Sequence, residues 1–229
     1  MGFLFIFNKK DVNINTMKEV ENILFDFNGT IVDDLDLCLE LLNTMLKLRG
    51  HNVVSKEEYL EVFGFPVIEY YKKAGFKFPE DNFPELADYF IEQYSSRNME
   101  CPLFENVIEV LEYFKNKGKN LVIISASEKK LLLEQLKKNQ IDHYFSAVSG
   151  LDNINASSKI ESAKSFLLDK HYDLTKTIFI GDTLHDLEVS EALNVECILI
   201  SKGHQSKTRL EQGNCLVIND IIELKNILK

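Results

Sequence analysis

The apolar run Ile23-Leu24-Phe25 ends in Asp26-Phe27-Asn28-Gly29-Thr30, which puts two short oxygen-bearing side chains at i and i+2 before a Gly-Thr turn. On an extended chain that spacing points Asp26 and Asn28 to one face of the strand's C-terminal edge. Open α/β sheets bind their ligands at that edge. Far downstream, Ile178-Phe179-Ile180 runs into Gly181-Asp182-Thr183-Leu184-His185-Asp186, a second apolar strand closing on acidic side chains. Placed side by side, the two ends make a hard-cation pocket around a carboxylate nucleophile. The chemistry such a pocket suits is metal-assisted phosphoryl transfer.

Cleaving a phosphate ester needs a nucleophile in line with the leaving group and positive charge on the equatorial oxygens. A carboxylate at Asp26 can attack phosphorus and form an aspartyl phosphate, splitting one hard step into two. Because two anions repel, a cation must lie between them, and Mg²⁺ binds through one or two carboxylates while keeping several waters. Asp26 and Asp182 are the expected direct ligands, with the Asn28 backbone carbonyl as a third. Asp186 is expected to bind through water or to orient the others. Ser125, taken to end the strand Leu121–Ile124, can donate its hydroxyl to a phosphate oxygen, and so can the amides after it, beginning at Ala126. Lys159, at the start of the next helix, supplies a compact positive charge. Gly29 and Thr30 complete the expected phosphate-binding set.

The elements that position these groups follow from periodicity. From Gly118 onward strands and helices alternate: a strand at Asn120–Ser125, a helix from an Ser127 N-cap through Lys138, and a short strand at Ala147–Ser149. A helix over Ser158–Leu168, strands at Thr177–Gly181 and Cys197–Ile200, and helices at Asp186–Leu193 and Asp220–Leu228 follow. Repeated βα units imply a mostly parallel sheet covered on both faces. Residues 33–104 break the pattern. Leu35, Cys38, Leu39, Leu42, Met45 and Leu46 trace an amphipathic helix stopped by Gly50, and helical segments follow at Glu57–Phe63, Val67–Ala74 and Pro84–Arg97. A helical insert directly after the first strand reads as a lid-like domain, with linkers near Ile31–Asp34 and Glu100–Phe104.

With 229 residues, 45% of them hydrophobic, the chain can bury one or two sizeable cores. A formal charge of −10 disfavours nucleic acid and anionic membrane as partners, but not a small phosphorylated metabolite held in a local positive pocket. Cys38, Cys101, Cys197 and Cys215 are far apart and form no CxxC, as expected of reduced thiols in the cytoplasm. Phe3-Leu4-Phe5-Ile6-Phe7 is too short for a membrane span, and residues 1–16 read as an N-terminal extension before Met17.

Several residues carry a plainer reading. His185 is expected to be an exposed helix-start histidine, and Gly203-His204-Gln205-Ser206 a loop on the site's edge without chemistry. Asp33 and Asp34 are expected to favour the positive end of the helix they precede. Phe63, Phe65, Tyr70, Tyr71, Phe76 and Phe78 read as lid core, with one or two at the substrate entrance. Lys72-Lys73 reads as a solvated face.

Taken together, Asp26-x-Asn28-Gly29-Thr30, Ser125, Lys159 and Gly181-Asp182-xxx-Asp186 resemble the four motifs of the haloacid dehalogenase-like hydrolase superfamily, DxDGT, a strand-terminal Ser/Thr, a Lys and GDxxxD. The resemblance runs from Ile23 to the C-terminus. It implies a Rossmann-like three-layer core (17–32 and 105–229) with strand order 5-4-1-2-3, and a helical cap (33–104). It also implies Mg²⁺-dependent hydrolysis of a small phosphomonoester in the manner of phosphoglycolate-phosphatase-like members, in a monomer or weak homodimer. Dehalogenase relatives depart from GDxxxD. Phosphonatase relatives use a cap lysine absent from Gly64-Phe65-Pro66-Val67, and phosphomutases lean on the second acid.

One residue departs from the pattern. The family's second Asp protonates the leaving oxygen, and Asn28 cannot ionise. General acid catalysis is worth roughly 10²–10⁴-fold, so the sequence implies reduced turnover, with a phosphate sensor lacking turnover as the rival. From sequence alone, Asn28→Asp is expected to raise turnover on alkyl esters.

Overall fold

The computed structural model describes residues 19–151 and 159–228. The proposed extension over 1–16 and the helix start at Ser158 lie outside them. Among the described residues, six parallel strands form one sheet in the order β3-β2-β1-β4-β5-β6. They are β1 (Asn22–Phe25), β2 (Asn120–Glu128), β3 (Ala147–Leu151), β4 (Thr177–Gly181), β5 (Glu196–Ile200) and β6 (Leu216–Ile218). The order expected from the resemblance is present, and β6 extends it by one unanticipated edge strand.

Alternation along the central strands sorts the core into two layers. Ile23, Phe25, Leu121, Ile123, Ile178 and Ile180 pack on one face, with Val107, Val110, Leu111 and Phe114 of α5 (Val107–Asn116) and Leu132 and Leu136 of α6 (Lys129–Lys138). Leu24, Val122, Ile124 and Phe179 pack on the other, with Ala163 and Leu167 of α7 (Lys159–Lys170) and Val189 and Leu193 of α8 (Leu184–Leu193). The central strands are therefore continuously apolar over Ile23–Phe25, Leu121–Ile124 and Ile178–Ile180, as a sheet covered on both faces requires.

Helices α1 (Leu35–Leu48), α2 (Lys56–Val62), α3 (Val67–Ala74) and α4 (Phe83–Arg97) gather a separate apolar core. Leu35, Cys38, Leu42, Met45, Leu46, Tyr59, Tyr70, Tyr71, Ala74, Phe76 and Leu86 are buried together there. Helix α1 serves both cores, since Leu37 and Leu41 join the sheet-side cluster. The two linkers lie side by side: Asp33 N donates to Pro102 O (2.9 Å), Phe104 N donates to Ile31 O (3.1 Å), and Val32 and Leu103 form an antiparallel bridge.

Three local readings are corrected. Ser127 does not cap a helix: β2 continues through Ser125 to Glu128, and α6 begins at Lys129 with no side-chain cap. Helix α8 starts two residues earlier than expected, because Thr183 caps it and Asp186 closes the capping box. The closing helix is broken into a 3₁₀ turn at Ile221–Glu223 and α10 (Leu224–Ile227). Helix α5 and the short α9 (Lys207–Leu210) were not anticipated. Among the described residues, no helix is long and apolar enough to cross a membrane.

Candidate active site

The register of the sheet assembles the site. Phe25 is level with Ile123 on one side and Ile180 on the other, so β1 and β4 end side by side while β2 runs on past them through Ser125. Asp26 leaves β1 with its amide bonded to Ile180 O (2.8 Å), and Asp182 follows β4 directly. Asp26, Asp182 and Asp186 offer carboxylate oxygens that all lie within 4.8 Å of one another. Lys159, the first residue of α7, reaches in with its ammonium bonded to Asp26 and to Asp186 Oδ1 (2.6 Å). All four of these side chains are buried.

Asp186 has its other oxygen occupied by the Thr183 hydroxyl (2.8 Å) and by the amides of Thr183 (3.0 Å) and Asp182 (3.2 Å). The helix cap thus doubles as the anchor of a site carboxylate. Asp182 accepts from Thr30 Oγ1 (3.1 Å) and from the amide of His204 (2.7 Å). The backbone closes tightly here. Gly29 has φ +75°, and a Cβ on it would fall 2.3 Å from Asp182 Oδ2; one on Gly203 would fall 2.2 Å from the same atom. Ser125 is buried on β2, its hydroxyl accepting from Ser127 N (3.0 Å), while Ala126 is exposed.

The charges do not balance within the protein. Burial pushes the Asp26 carboxyl well above the usual range despite Lys159, with Asp186 and Asp182 adding to the rise. Burial likewise pushes Asp182 up to about 7 against the opposing charge of His204. Asp186 is held low: burial alone would raise it, but Lys159 and Thr183 outweigh that. Burial opposes the charge on Lys159, and Asp186 and Asp26 together more than offset it, so its pKa is raised. Three clustered carboxylates with a single lysine form a hard-oxygen donor set with unmet negative charge, which fits a cation such as Mg²⁺.

Asn28 is drawn into a different set of contacts. Its Nδ2 donates to Asp34 Oδ2 (3.1 Å) and to the Tyr94 hydroxyl (2.5 Å), and its Oδ1 accepts from Ser127 Oγ (2.8 Å). Asp34 is buried and makes no cap contact with α1. Asp33 stays exposed.

The plainer reading of His204 is revised, because its buried ring enters the site. Its Nε2 lies 3.1 Å from Asp34 Oδ1, its Nδ1 lies 2.8 Å from the Tyr59 hydroxyl, and Phe63 stacks on it at 4.6 Å. Gln205 ties the same loop to the cap, accepting from Leu184 N (2.8 Å) and donating to Phe63 O (3.0 Å). His185 is half-buried, 3.0 Å from Glu188, with its ring against the exposed Phe65 at 4.6 Å. Tyr70, Tyr71 and Phe76 are cap core, while Lys72 and Lys73 are exposed. Cys38, Cys101 and Cys197 are buried thiols and Cys215 is partly buried.

Asp34, Cys38 and His204 also bring ligand atoms within 4.8 Å of one another. Asp34 and His204 are paired directly, 3.1 Å apart. Burial would lower the His204 pKa, but the Asp34 carboxylate overrides it and lifts it to about 9. Burial would raise Asp34, but His204, Tyr94 and Asn28 hold it below the ordinary range. A raised histidine contributes stability that is complete below its unfolded value and lost as pH climbs through the folded one. A depressed carboxylate contributes above its unfolded value and loses that contribution in acid. The thermal midpoint is therefore expected to fall between pH 6.5 and about 9 more steeply in the natural protein than in His204→Gln. Parallel pH curves for the two proteins would rule out the ion pair.

Tyr94, Ser127 and the ring of His204 were not expected in the site. Tyr94 gave no sequence signal, since it lies in a helix among other aromatics, and Ser127 was spent on a helix cap.

Comparison with known proteins bears on the family and the fold. The chain is 25% identical over 212 residues to a phosphoglycolate phosphatase of Pseudomonas fluorescens, covering 88% of this chain and 77% of the relative. It is 26% identical over 185 residues to the pyrophosphatase PpaX of Anoxybacillus flavithermus, covering 77% and 78%. Among solved structures, a haloacid dehalogenase-like hydrolase from Bacteroides fragilis superposes with TM-score 0.78 at 17% identity, over 90% of this chain and all of that one. A phosphatase structure from Clostridium difficile gives 0.74 at 23% identity, over 93% and 100%. Residues 23–200 match the haloacid dehalogenase-like hydrolase family, and the chain belongs to it.

Proposed function

We propose that the protein is a Mg²⁺-dependent phosphatase that hydrolyses a small phosphomonoester through an aspartyl phosphate on Asp26. The observation that carries this reading is the meeting of Asp26, Lys159, Asp182 and Asp186 at adjoining strand ends. Relatives named as phosphoglycolate phosphatase and pyrophosphatase support the same reaction class. Asp26, Asp182 and Asp186 would hold the cation, with the Asn28 carbonyl as a further ligand. Bound there, Mg²⁺ would offset the repulsion between the Asp26 carboxylate and the phosphate.

An Asp26 oxygen attacks phosphorus, the bond from phosphorus to the ester oxygen breaks, and the alkoxide leaves. Water then hydrolyses the acyl phosphate, releasing inorganic phosphate and regenerating the carboxylate. Lys159 steadies the nucleophile, and Ser125, Ala126, Gly29 and Thr30 line the phosphate. The helical segment 33–104 acts as a cap, with Phe65 and His185 near the entrance. Asn28 has no proton to give, so esters whose leaving group departs without protonation are the better substrates. Turnover is expected to be higher on aryl than on alkyl phosphates, to require Mg²⁺ and to vanish in EDTA. Full activity in chelator would defeat the proposal.

One observation favours a second reading, a phosphate-binding protein without turnover: both hydrogens of the Asn28 amide are already engaged. Beryllofluoride binding with no turnover across a panel of phosphorylated metabolites would select it.

A further inference from the structure

The nucleophile and cation pocket leave the buried Asp34 without a task. This side chain, 2% exposed, is the centre of a converging set of donors. Its Oδ1 accepts from Gly29 N (3.0 Å) and faces His204 Nε2 (3.1 Å). Its Oδ2 accepts from the Tyr94 hydroxyl (2.7 Å), Asn28 Nδ2 (3.1 Å) and Cys38 Sγ (3.6 Å). One carboxylate therefore joins the turn after β1, the start of α1, cap helix α4 and the loop after β5.

The Asn28 side chain is fixed by the same contacts. Turning its amide over would set Oδ1 against the Asp34 carboxylate and Nδ2 against the Ser127 hydroxyl, losing the bonds to Asp34 and Tyr94. At position 28 the side chain must present a hydrogen to Asp34 Oδ2. A carboxylate at position 28 would put an acceptor where Nδ2 now donates, leaving no hydrogen for Asp34 Oδ2 (3.1 Å) or for the Tyr94 hydroxyl (2.5 Å).

We propose that Asn28 and Asp34 work as one unit in which Asp34 is a positioning residue for the phosphatase reaction, and that the unit must hold one carboxylate and one amide, in either order. The inference rests on the phosphatase reading for its catalytic consequence. It also reverses the expectation for Asn28→Asp alone: that variant loses both amide hydrogen bonds instead of repairing the site.

The exchanged pair keeps the bonds that link positions 28 and 34 to Gly29, Tyr94 and Ser127; it gives up the Cys38 Sγ bond to Oδ2, and the His204 contact becomes a bond to a neutral amide oxygen. With Asp34→Asn, Oδ1 at position 34 still accepts from Gly29 and His204 and the new Nδ2 donates toward position 28. With Asn28→Asp, the new carboxylate accepts that bond together with those of Tyr94 and Ser127.

The test is a cycle of Asn28→Asp, Asp34→Asn and the double variant, with kcat and KM on an alkyl and an aryl phosphate. Each single change is expected to lower kcat by about tenfold or more on both esters, the size of coupling found between residues in contact. The double variant is expected to return to within about threefold of the natural protein on both esters. A double variant no better than the worse single one would overturn the proposal.

Thermal midpoints of the same four proteins run the cycle without turnover. Additive midpoints would also overturn it. Coupled midpoints with no turnover on any ester, even by the natural protein, would uphold the pairing and strike the phosphatase reading alone.

Discussion

Asp26→Asn is expected to lower turnover on the best ester by roughly 10³-fold or more, as removal of a nucleophile does in other covalent enzymes. No other carboxylate can take its place: Asp186 is tied to Lys159, Thr183 and the Asp182 amide, and Asp182 to Thr30 and His204. Stability should move the other way. A carboxyl whose folded pKa is raised loses stability on ionising, because the folded state prefers it protonated. Asp26 is such a group, raised by burial and by its two acidic neighbours. The amide removes the charge while keeping the shape, and the backbone bond to Ile180 O is untouched. The thermal midpoint measured without metal should therefore rise while activity disappears. Residual turnover above a few per cent would remove Asp26 from the nucleophile's role, and a clearly lowered midpoint would contradict the electrostatics.

Lys159→Ala should do the reverse to stability and comparable damage to turnover. The ammonium is buried between Asp26 and Asp186. Removing one partner of a buried ion pair typically costs about 3–5 kcal/mol, because the remaining charge is left without compensation. For a chain of this size that corresponds to a fall of roughly 10 °C in the metal-free midpoint. A cation bound by the three carboxylates would replace the lost charge, so added Mg²⁺ should raise the variant's midpoint more than the natural protein's. Denaturation scans with and without Mg²⁺ measure both effects. A metal-free midpoint indistinguishable from that of the natural protein would mean that the lysine does not hold this cluster together.

The parts of the fold that were legible in the sequence have local causes. Asn22–Phe25 and Thr177–Gly181 are buried runs ended by acids, and the cap helices show their apolar period over several turns. Helix α5 carries the same signal in Val107, Val110, Leu111 and Phe114, and was passed over because it falls between a linker and Gly118. Strand β6 is only Leu216–Ile218, too short to show a period. The acidic cluster and its lysine follow from strand-end spacing. The Asp34 hub does not, since its partners Tyr94 and His204 are 60 and 170 residues away and nothing in their own neighbourhoods marks them. Ser127 shows the same limit on a small scale. Its hydroxyl suits a helix cap, but the amide of Asn28, 99 residues earlier, takes it instead.

The side-by-side linkers have a consequence for how such a chain can change over time. Where Asp33 pairs with Pro102 and Ile31 with Phe104, the entry and exit of the helical segment are already in contact. For the sheet domain, everything between them is a closed loop whose ends stay fixed whatever its length. The entropy of closing a loop grows only with the logarithm of its size, about 0.6 kcal/mol for each doubling. A segment with its own apolar core could then be lengthened, shortened or exchanged at that junction with little burden on the folding of the sheet. Asp34 lies just inside the junction and Asp26 before it, so an exchanged segment would leave the nucleophile in place and alter the contacts that Asp34, Tyr59, Phe63 and Tyr94 make with Asn28, Gly29 and His204.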